Sequence, residues 1–446
     1  MTTPDTIAAI ATPPGMGGVG IVRVSGPQAP AIAAAILGRI PEPRRAVLGV
    51  FHESDGTFID MGLALYFQAP HSFTGEDVLE LQGHGGPVVM DLLLRRCLEL
   101  GARLARPGEF SERAFLNGKL DLVQAEAVAD LIESSTSLAA RLAGRSLQGV
   151  FSQRIAALLE RLIQLRLQVE AGLDFPDEEL DLAEDTRLAA DLHRLVADVE
   201  QLLTDAHQGQ IIREGLAVVI AGAPNVGKSS LLNALCGTEA AIVTAIPGTT
   251  RDLLKFDIQV DGLPIRIIDT AGLRHSQDPV EREGVRRAQA ALNDADLVLW
   301  VRSVDQEPDA SIRSSFPTDC PVILIRNKID LVGEPARLVE RDGEVEIALS
   351  AVTGAGLELL RGQIKAHAGL SAHPEGAFIA RRRHLEALER ARSTLQAAAA
   401  NLELRLGAEL VAEELHLAQR ALGEITGEFT SEDLLNRIFS SFCIGK

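Results

Sequence analysis

The spacing of apolar residues divides the chain into regions with different predicted structures. In residues 1–118, short runs such as GVGIVRVSG and DVLELQGHGG have the spacing of strands, and PVVMDLLLRRCLELGARLA has the spacing of a helix. In residues 119–209, apolar residues recur every three or four positions, as in IAALLERLIQLRLQVEAGL. We therefore predict an N-terminal α+β domain followed by helices.

A second sheet is predicted for residues 210–372. The runs LAVVIAG, IRIIDTAG, ADLVLWV and PVILIRNKID have the composition of buried strands and alternate with helical segments, which is typical of a doubly wound parallel sheet. Helical spacing returns in residues 373–446. The sequence thus predicts a multidomain α/β protein in which the sheet domain is inserted into an all-helical domain. Short linkers at both joins would let movements of the sheet domain act on the helices as a lever does.

Composition and charge narrow the classes of function. The 446 residues carry a net charge of −19, which argues against non-specific binding of nucleic acid over a wide surface. Any RNA contact must therefore be local or shared with a partner. No signal peptide or long apolar run is apparent, and we expect a cytoplasmic protein without membrane contact. The cysteines, Cys97, Cys236, Cys320 and Cys443, lack C-x-x-C spacing, which indicates reduced thiols.

The stretch GAPNVGKS, residues 222–229, has the spacing of a phosphate-binding loop between a predicted strand and a predicted helix. Backbone N–H groups at such a helix start hold phosphate oxygens, and Lys228 adds a positive charge beside the β- and γ-phosphates. The Ser229 hydroxyl is a predicted Mg²⁺ ligand, and Thr250 of PGTTRD is the predicted second one. A nucleoside triphosphate is the expected ligand.

The stretch NKID identifies the base as guanine. It supplies Asn327, Lys328 and Asp330, and the Asp330 carboxylate can accept hydrogen bonds from N1–H and the exocyclic amine of guanine. A site built in this way favours guanine over adenine by a factor of ~10⁴ or more, because the carboxylate would be left unpaired with adenine. Ser350 and Ala351 of LSAVTG are predicted to brace the base, so we expect GTP.

The stretch DTAGL supplies Asp269 for the outer shell of the metal and the Gly272 N–H for the γ-phosphate. The next residue is Leu273, where a Ras-like GTPase has the glutamine that orients the attacking water. Another group must therefore place the water. Glu281 of the following loop is the favoured candidate, and Glu283 is its rival.

Asn225 in the phosphate loop points to a monovalent cation. Its amide oxygen can coordinate a cation between the β- and γ-phosphates, where positive charge acts as an arginine finger does. Backbone carbonyls near Thr244 and Ile246 would complete the shell. We therefore predict hydrolysis that is stimulated by K⁺.

Over essentially its whole length, the chain resembles the MnmE (TrmE) family of tRNA-modification GTPases. The resemblance is carried by ATPPGMGGVGIVRVSG, SFTGEDVLELQGHGG, LNGKLDLVQAEAVADLI, GAPNVGKSSLLNAL, PGTTRD, DTAGLR and FCIGK. It implies a homodimer joined through an N-terminal domain that binds a tetrahydrofolate one-carbon donor, 5-formyl or 5,10-methylene. It also implies an FAD-dependent partner of the MnmG type, with which an aminomethyl or carboxymethylaminomethyl group is installed on C5 of the wobble uridine, position 34, of certain tRNAs.

The resemblance also assigns site residues by motif position. The folate contacts that it implies are Arg23, Glu80, Lys119 and Lys446. The K⁺ ligands that it implies are Asn225, Thr244, Ile246 and Thr249, and Glu281 is the implied catalytic glutamate. With the motifs, it gives the nucleotide contacts Asn225, Val226, Gly227, Lys228, Ser229, Ser230, Thr244, Thr249, Thr250, Asp269, Thr270, Ala271, Gly272, Asn327, Lys328, Asp330, Ser350 and Ala351.

The terminal CIGK places Cys443 at the spacing of a prenylation box. Gly and Lys at its last two positions do not fit such a box, which disfavours a prenylated membrane switch. In the family the tail cysteine is required for tRNA modification, so we predict that Cys443 acts in the one-carbon chemistry, as nucleophile or acid/base. A ribosome-assembly GTPase remains the alternative, although the acidic, helical C-terminal region without a GXXG loop disfavours it.

Overall fold

The computed structural model describes most of the chain. The described residues are 5–174, 186–237, 255–269, 292–293, 295–306, 313, 316–318, 320–341, 344–369 and 377–445. The chain forms two compact units, of which unit 1 comprises Met1–Ala129, Ser146–Val196 and Arg390–Lys446, and unit 2 comprises Asp130–Arg145 and Ala197–Glu389. The predicted domain boundaries at residues 118, 209 and 372 stay predictions. Within the described part, no helix has both the length and the apolar composition needed to cross a bilayer.

A six-stranded sheet lies at the centre of the N-terminal region. Its strands are β1 (Ile7–Ile10), β2 (Gly17–Ser25), β3 (Val47–His52), β4 (Phe58–Phe67), β5 (Val78–Gly85) and β6 (Arg103–Leu104). Their order is β3-β4-β5-β2-β1-β6, and only the β1–β6 pairing is parallel. Helices α1 (Ala29–Leu37) and α2 (Pro87–Glu99) pack on it around a core that includes Ile32, Phe51 and Leu93.

A buried carboxylate fixes the next helix, α3 (Glu109–Leu116), to this sheet. The Glu109 side chain accepts hydrogen bonds of 2.8 Å from Arg103, 2.7 Å from the Arg106 backbone N–H and 3.2 Å from Arg113. Burial by itself raises the pKa of Glu109, but these hydrogen bonds outweigh it and hold the pKa below its ordinary value of 4.5. The carboxylate therefore stays ionised and stabilises the fold at neutral pH.

We expect Glu109→Gln to lower the free energy of unfolding of the N-terminal region by about 2–3 kcal/mol at pH 7, because an amide cannot replace charge-assisted hydrogen bonds from arginine. The folded-state pKa lies below the unfolded value, so the carboxylate's contribution is complete above the unfolded pKa and is lost as the pH falls through the folded pKa. The difference from wild type should therefore shrink below about pH 4.

Urea unfolding followed by the absorbance of Tyr66 measures this effect. Tyr66 is the single tyrosine of the chain and is buried in β4. The control is Glu99→Gln, which removes a half-exposed carboxylate paired with Arg96 and should change the free energy of unfolding by less than about 0.5 kcal/mol. Equal effects of the two substitutions at pH 7 would contradict the prediction.

Helices with one apolar face follow α3. They are α4 (Leu122–Glu133), α5 (Ser137–Leu147), α6 (Val150–Asp174), α7 (Thr186–Glu214), α8 (Lys228–Cys236), α9 (Leu357–His367), α10 (Arg382–Glu403), α11 (Ala408–Thr426) and α12 (Glu432–Phe439). In α6 the buried positions Phe151, Ile155, Leu158 and Leu162 recur every three or four residues, as the sequence pattern predicts. This face of α6 belongs to unit 1, where α6 packs against α11.

A second sheet with seven strands lies in unit 2. Its strands are β7 (Leu216–Ala221), β8 (Lys255–Val260), β9 (Leu263–Asp269), β10 (Leu297–Ser303), β11 (Val322–Asn327), β12 (Arg337–Arg341) and β13 (Glu344–Ala348). Their order is β12-β13-β11-β10-β7-β9-β8, with antiparallel pairing only at the two edges. Val218 and Val219, adjacent in β7, belong to different core clusters, so both faces of the sheet are covered. The predicted fold class is confirmed.

Candidate functional site

Two glycines shape the loop that joins β7 to α8. Gly222 has a φ of 152°, and a Cβ there would lie 2.2 Å from the carbonyl oxygen of Val301. Gly227 has a φ of 98°, and a Cβ there would lie 2.2 Å from Nδ2 of Asn327. Both positions thus require glycine, and the loop closes tightly over the start of α8.

The start of α8 presents groups that suit a phosphate. Lys228 donates hydrogen bonds of 2.9 and 3.0 Å to the carbonyl oxygens of Gly222 and Ala223, so its ammonium lies over the loop. Ser229 and Ser230 are exposed in the first turn of the helix. A cation over the loop, free hydroxyls and the helix N-terminus together form a site for an anion and its metal ion.

Asn327 joins three of the predicted nucleotide motifs. Its side chain is buried at the end of β11, where Nδ2 donates 2.9 Å to the carbonyl of Val226 and Oδ1 accepts 3.0 Å from the N–H of Ala351. Lys328 follows with a φ of 70°, and the Asp330 carboxylate is exposed. The phosphate loop and the predicted base-binding loops are therefore held together by one amide side chain.

Two more of the predicted nucleotide contacts, Ser350 and Asp269, lie in the described part of the chain. The buried Ser350 hydroxyl accepts 3.2 Å from the N–H of Thr353 and so supports the loop that holds Ala351. Asp269 is the last residue of β9 and its backbone pairs with Ile220 of β7, directly before the phosphate loop. The predicted residues outside the described part are Thr244, Ile246, Thr249, Thr250, Thr270, Ala271, Gly272, Glu281 and Lys446.

A second candidate site lies in unit 1, where the C-terminal tail meets the N-terminal sheet. Arg23 and Glu80 face each other across β2 and β5 and form an ion pair of 2.9 Å. Arg23 also donates 3.3 Å to the carbonyl oxygen of Gly445 and lies 5.7 Å from the ring centroid of Phe110. These contacts place Gly445 of the tail beside the pair.

Close backbone contacts hold the tail in place. A Cβ on Gly445, whose φ is 94°, would lie 2.5 Å from the carbonyl oxygen of Ile10. Gly108, at the start of α3, donates 3.4 Å to the carbonyl oxygen of Cys443. Phe442 is buried and the Cys443 side chain is exposed. The thiol is thus presented by a segment that is anchored on both sides.

Sequence reasoning missed Phe110, Gly108 and Gly445 as parts of this site. Gly108 has a φ of 67°, which favours glycine, and a glycine at the start of a helix is the local signal that could have indicated this close packing. Lys119, which the sequence assigned to the same site, donates 3.0 Å to the carbonyl of Pro70. Its described contacts do not include the Arg23–Glu80 pair, so its assignment to folate stays a prediction.

A glycine loop between a parallel strand and a helix, braced by the asparagine of an N-K-x-D motif, defines a P-loop GTPase. Comparison with family models gives a match of residues 6–119 to the GTP-binding protein TrmE N-terminus and of residues 122–443 to the MnmE helical domain. The chain belongs to the MnmE family. This agrees with the resemblance inferred from its motifs.

Two full-length relatives support this assignment. A protein of Methylococcus capsulatus, described as tRNA modification GTPase MnmE, is 61% identical over 447 residues, which is 99% of this chain and 99% of that protein. A protein of Stutzerimonas stutzeri with the same description is 58% identical over 451 residues, with 99% of each chain covered. The similarity therefore includes both units and not only the GTPase sheet.

Proposed function

We propose that the chain is a K⁺-stimulated GTPase that, with an FAD-dependent partner of the MnmG type, uses a tetrahydrofolate one-carbon unit to modify C5 of the wobble uridine of certain tRNAs. The observation that carries this proposal is the presence in one chain of a phosphate loop braced by Asn327 and a tail that bears Cys443 and contacts Arg23 of the Arg23–Glu80 pair through Gly445. The family's tRNA modification GTPases supply the link between these two sites.

The residues at the phosphate loop fit the expected ligands. The exposed Ser229 hydroxyl, with Thr250, would hold Mg²⁺, and the exposed amide of Asn225, with carbonyls of Thr244, Ile246 and Thr249, would hold K⁺. When held by these residues, the ions would supply positive charge to the transition state of hydrolysis. Glu281 is the proposed residue that positions the attacking water, in place of the glutamine that Leu273 replaces.

The residues of unit 1 fit a folate. A folate has a negatively charged glutamate tail, which suits Arg23 and Lys119, and pterin N–H donors, which suit the Glu80 carboxylate. Because Arg23 and Glu80 pair with each other at 2.9 Å, the ligand would have to share or replace this pair. We propose that the protein acts as a homodimer in the cytoplasm, and its net charge of −19 favours tRNA binding that is shared with the partner protein.

Complementation tests the proposed function. In a bacterium that lacks its own member of the family, expression of this chain should restore the modified nucleoside at position 34, as measured by mass spectrometry of digested tRNA. The control Lys228→Ala should fail at equal expression, because loss of this charge lowers GTP turnover about 10²-fold or more. Unmodified tRNA together with rescue of a ribosome-assembly defect would favour the alternative GTPase role.

A further inference from the structure

One buried carboxylate ties together the two joins between the GTPase sheet and the helices. Asp130, in α4, is 6% exposed. Its Oδ1 accepts 2.8 Å from Nε of Arg213, in the last turn of α7, and 2.8 Å from Nη2 of Arg381. Arg213 lies shortly before β7 and Arg381 directly precedes α10, so one side chain holds the chain on both sides of the inserted sheet.

An apolar cluster packs the same joins together with α5. Its buried residues are Ala139, Leu142, Ala143, Ile212, Ala377 and Ile379. Gly209 of α7 lies so close to the second join that a Cβ there would be 2.1 Å from the carbonyl oxygen of Phe378. We call α5, Asp130, residues 209–213 and residues 377–381 the collar. Within unit 2 the collar is a packed element and not a pair of independent linkers.

The collar lies beside the turn between β8 and β9. The backbone of Gly262 in this turn is so near α5 that an added Cβ would lie 3.6 Å from Cβ and 4.0 Å from Cδ2 of Leu138. A cavity of about 390 Å³ lies beside the ion cluster. Its lining includes Asp130, Glu133, Arg213 and Arg266. Because Arg266 belongs to β9, the cavity is lined by both this strand and the collar.

The same hairpin lies between two stretches that the sequence predicts to contact the nucleotide. β8 begins at Lys255, shortly after PGTTRD, and β9 ends at Asp269, the first residue of DTAGL. In GTPases, contacts with the γ-phosphate reorganise these two stretches. The ends of the hairpin therefore lead to the predicted nucleotide contacts, and its turn lies beside α5.

We propose that the collar transmits the nucleotide state from the β8–β9 hairpin to the helices, and that Asp130 is the positioning residue that makes both joins respond together. A buried carboxylate shared by two arginines suits this role, because releasing either arginine leaves a poorly compensated charge. The two joins should then move together between a small number of distinct conformations. An element of this kind can transmit a signal from one site to another. The inference rests on the proposed function in one respect, that hydrolysis drives tRNA modification.

Hydrogen exchange of the full chain tests the transmission. With Mg²⁺, K⁺ and either GDP or the non-hydrolysable analogue GMPPNP, wild-type exchange should differ between nucleotides at the β8–β9 turn, in α5 and in residues 377–389. In Asp130→Asn the difference should remain at the turn and disappear from residues 377–389. A merely structural role would raise exchange in residues 377–389 with both nucleotides and keep the difference between them.

Two further variants sharpen the test. Glu133→Gln removes a negative charge from the same helix and the same cavity but leaves the Asp130 cluster intact, so it should respond as wild type does. Leu138→Ala should remove the response from both α5 and residues 377–389, and it decides the matter if Asp130→Asn does not fold. A nucleotide-dependent difference in residues 377–389 that survives in Asp130→Asn and in Leu138→Ala, or is absent from wild type, overturns the proposal.

The functional readout separates this proposal from the proposed function. In Asp130→Asn, GTP turnover should stay within about twofold of wild type while tRNA modified per GTP falls by about tenfold or more. If the wild type modifies no tRNA, the proposed function fails, and the exchange experiment still decides whether the collar transmits. An unchanged ratio of tRNA modified to GTP consumed, together with a lost exchange response, overturns the role of Asp130.

Discussion

Replacing Cys443 by serine should abolish tRNA modification while GTP turnover stays within about twofold of wild type. The thiol is exposed on a tail whose neighbours Phe442 and Gly445 are buried, so serine should leave the packing unchanged. A group that acts as nucleophile or acid/base contributes about 10²–10⁴ to the rate, and modification should fall by that factor. Nucleoside mass spectrometry and phosphate release from the same preparation measure the two activities.

Other cysteines of the chain provide the control. Burial raises the pKa of Cys97 to about 12, so its thiol is inert at neutral pH. Burial and the charge of Asp296 raise the pKa of Cys320, which lies in unit 2. Cys320→Ser should therefore retain both activities. If Cys443→Ser lost GTP turnover together with modification, the cysteine would have a structural role and the proposed chemistry would be wrong.

Exchanging KCl for NaCl at constant ionic strength should lower the rate of GTP hydrolysis about 10²-fold or more. The reason is that a cation beside the β- and γ-phosphates does the work of an arginine finger, for which no arginine is present in GAPNVGKS. Na⁺ is smaller than K⁺, so a shell of amide and carbonyl oxygens sized for K⁺ should bind it less well. Steady-state phosphate release at saturating GTP measures the effect.

Two variants distinguish the cation from the residue that positions the attacking water. Asn225→Ala should be slow in either salt, because it removes a cation ligand, and should still bind GDP. Glu281→Gln should be about 10²-fold or more slower but should keep the preference for KCl. Equal wild-type rates in the two salts would remove the cation from the mechanism, and equal turnover of ATP and GTP would contradict the assignment of Asp330 to guanine.

Much of the GTPase site was predictable because its chemistry needs residues at fixed spacings. The loop before α8 can close only with glycine at residues 222 and 227, and the lysine and serine that follow must begin a helix. Buried strands on both faces of the sheet are continuous apolar runs, which made β7, β10 and β11 recognisable. The hydrogen bonds of Asn327 to Val226 and Ala351 were not predicted, since these partners are remote in sequence.

Contacts between remote residues limited the prediction elsewhere. Nothing local marks Asp130 as different from the other carboxylates of a helical region, and its role depends on arginines 83 and 251 positions away. The seating of Gly445 against Ile10 likewise joins the two ends of the chain. In both cases the sequence shows only a charged residue or a glycine, and the residues that contact it become known only from the folded structure.

The discontinuous makeup of unit 1 has a consequence for synthesis on the ribosome. Arg166 of α6 bonds His416 and Gln419 of α11, which lie 250 and 253 positions further along the chain. The part of α6 that packs against α11 therefore stays exposed until the GTPase sheet has been synthesised. This chain should accordingly depend on chaperones during translation, and slowing of elongation within residues 216–348 should raise the fraction that aggregates before α11 appears.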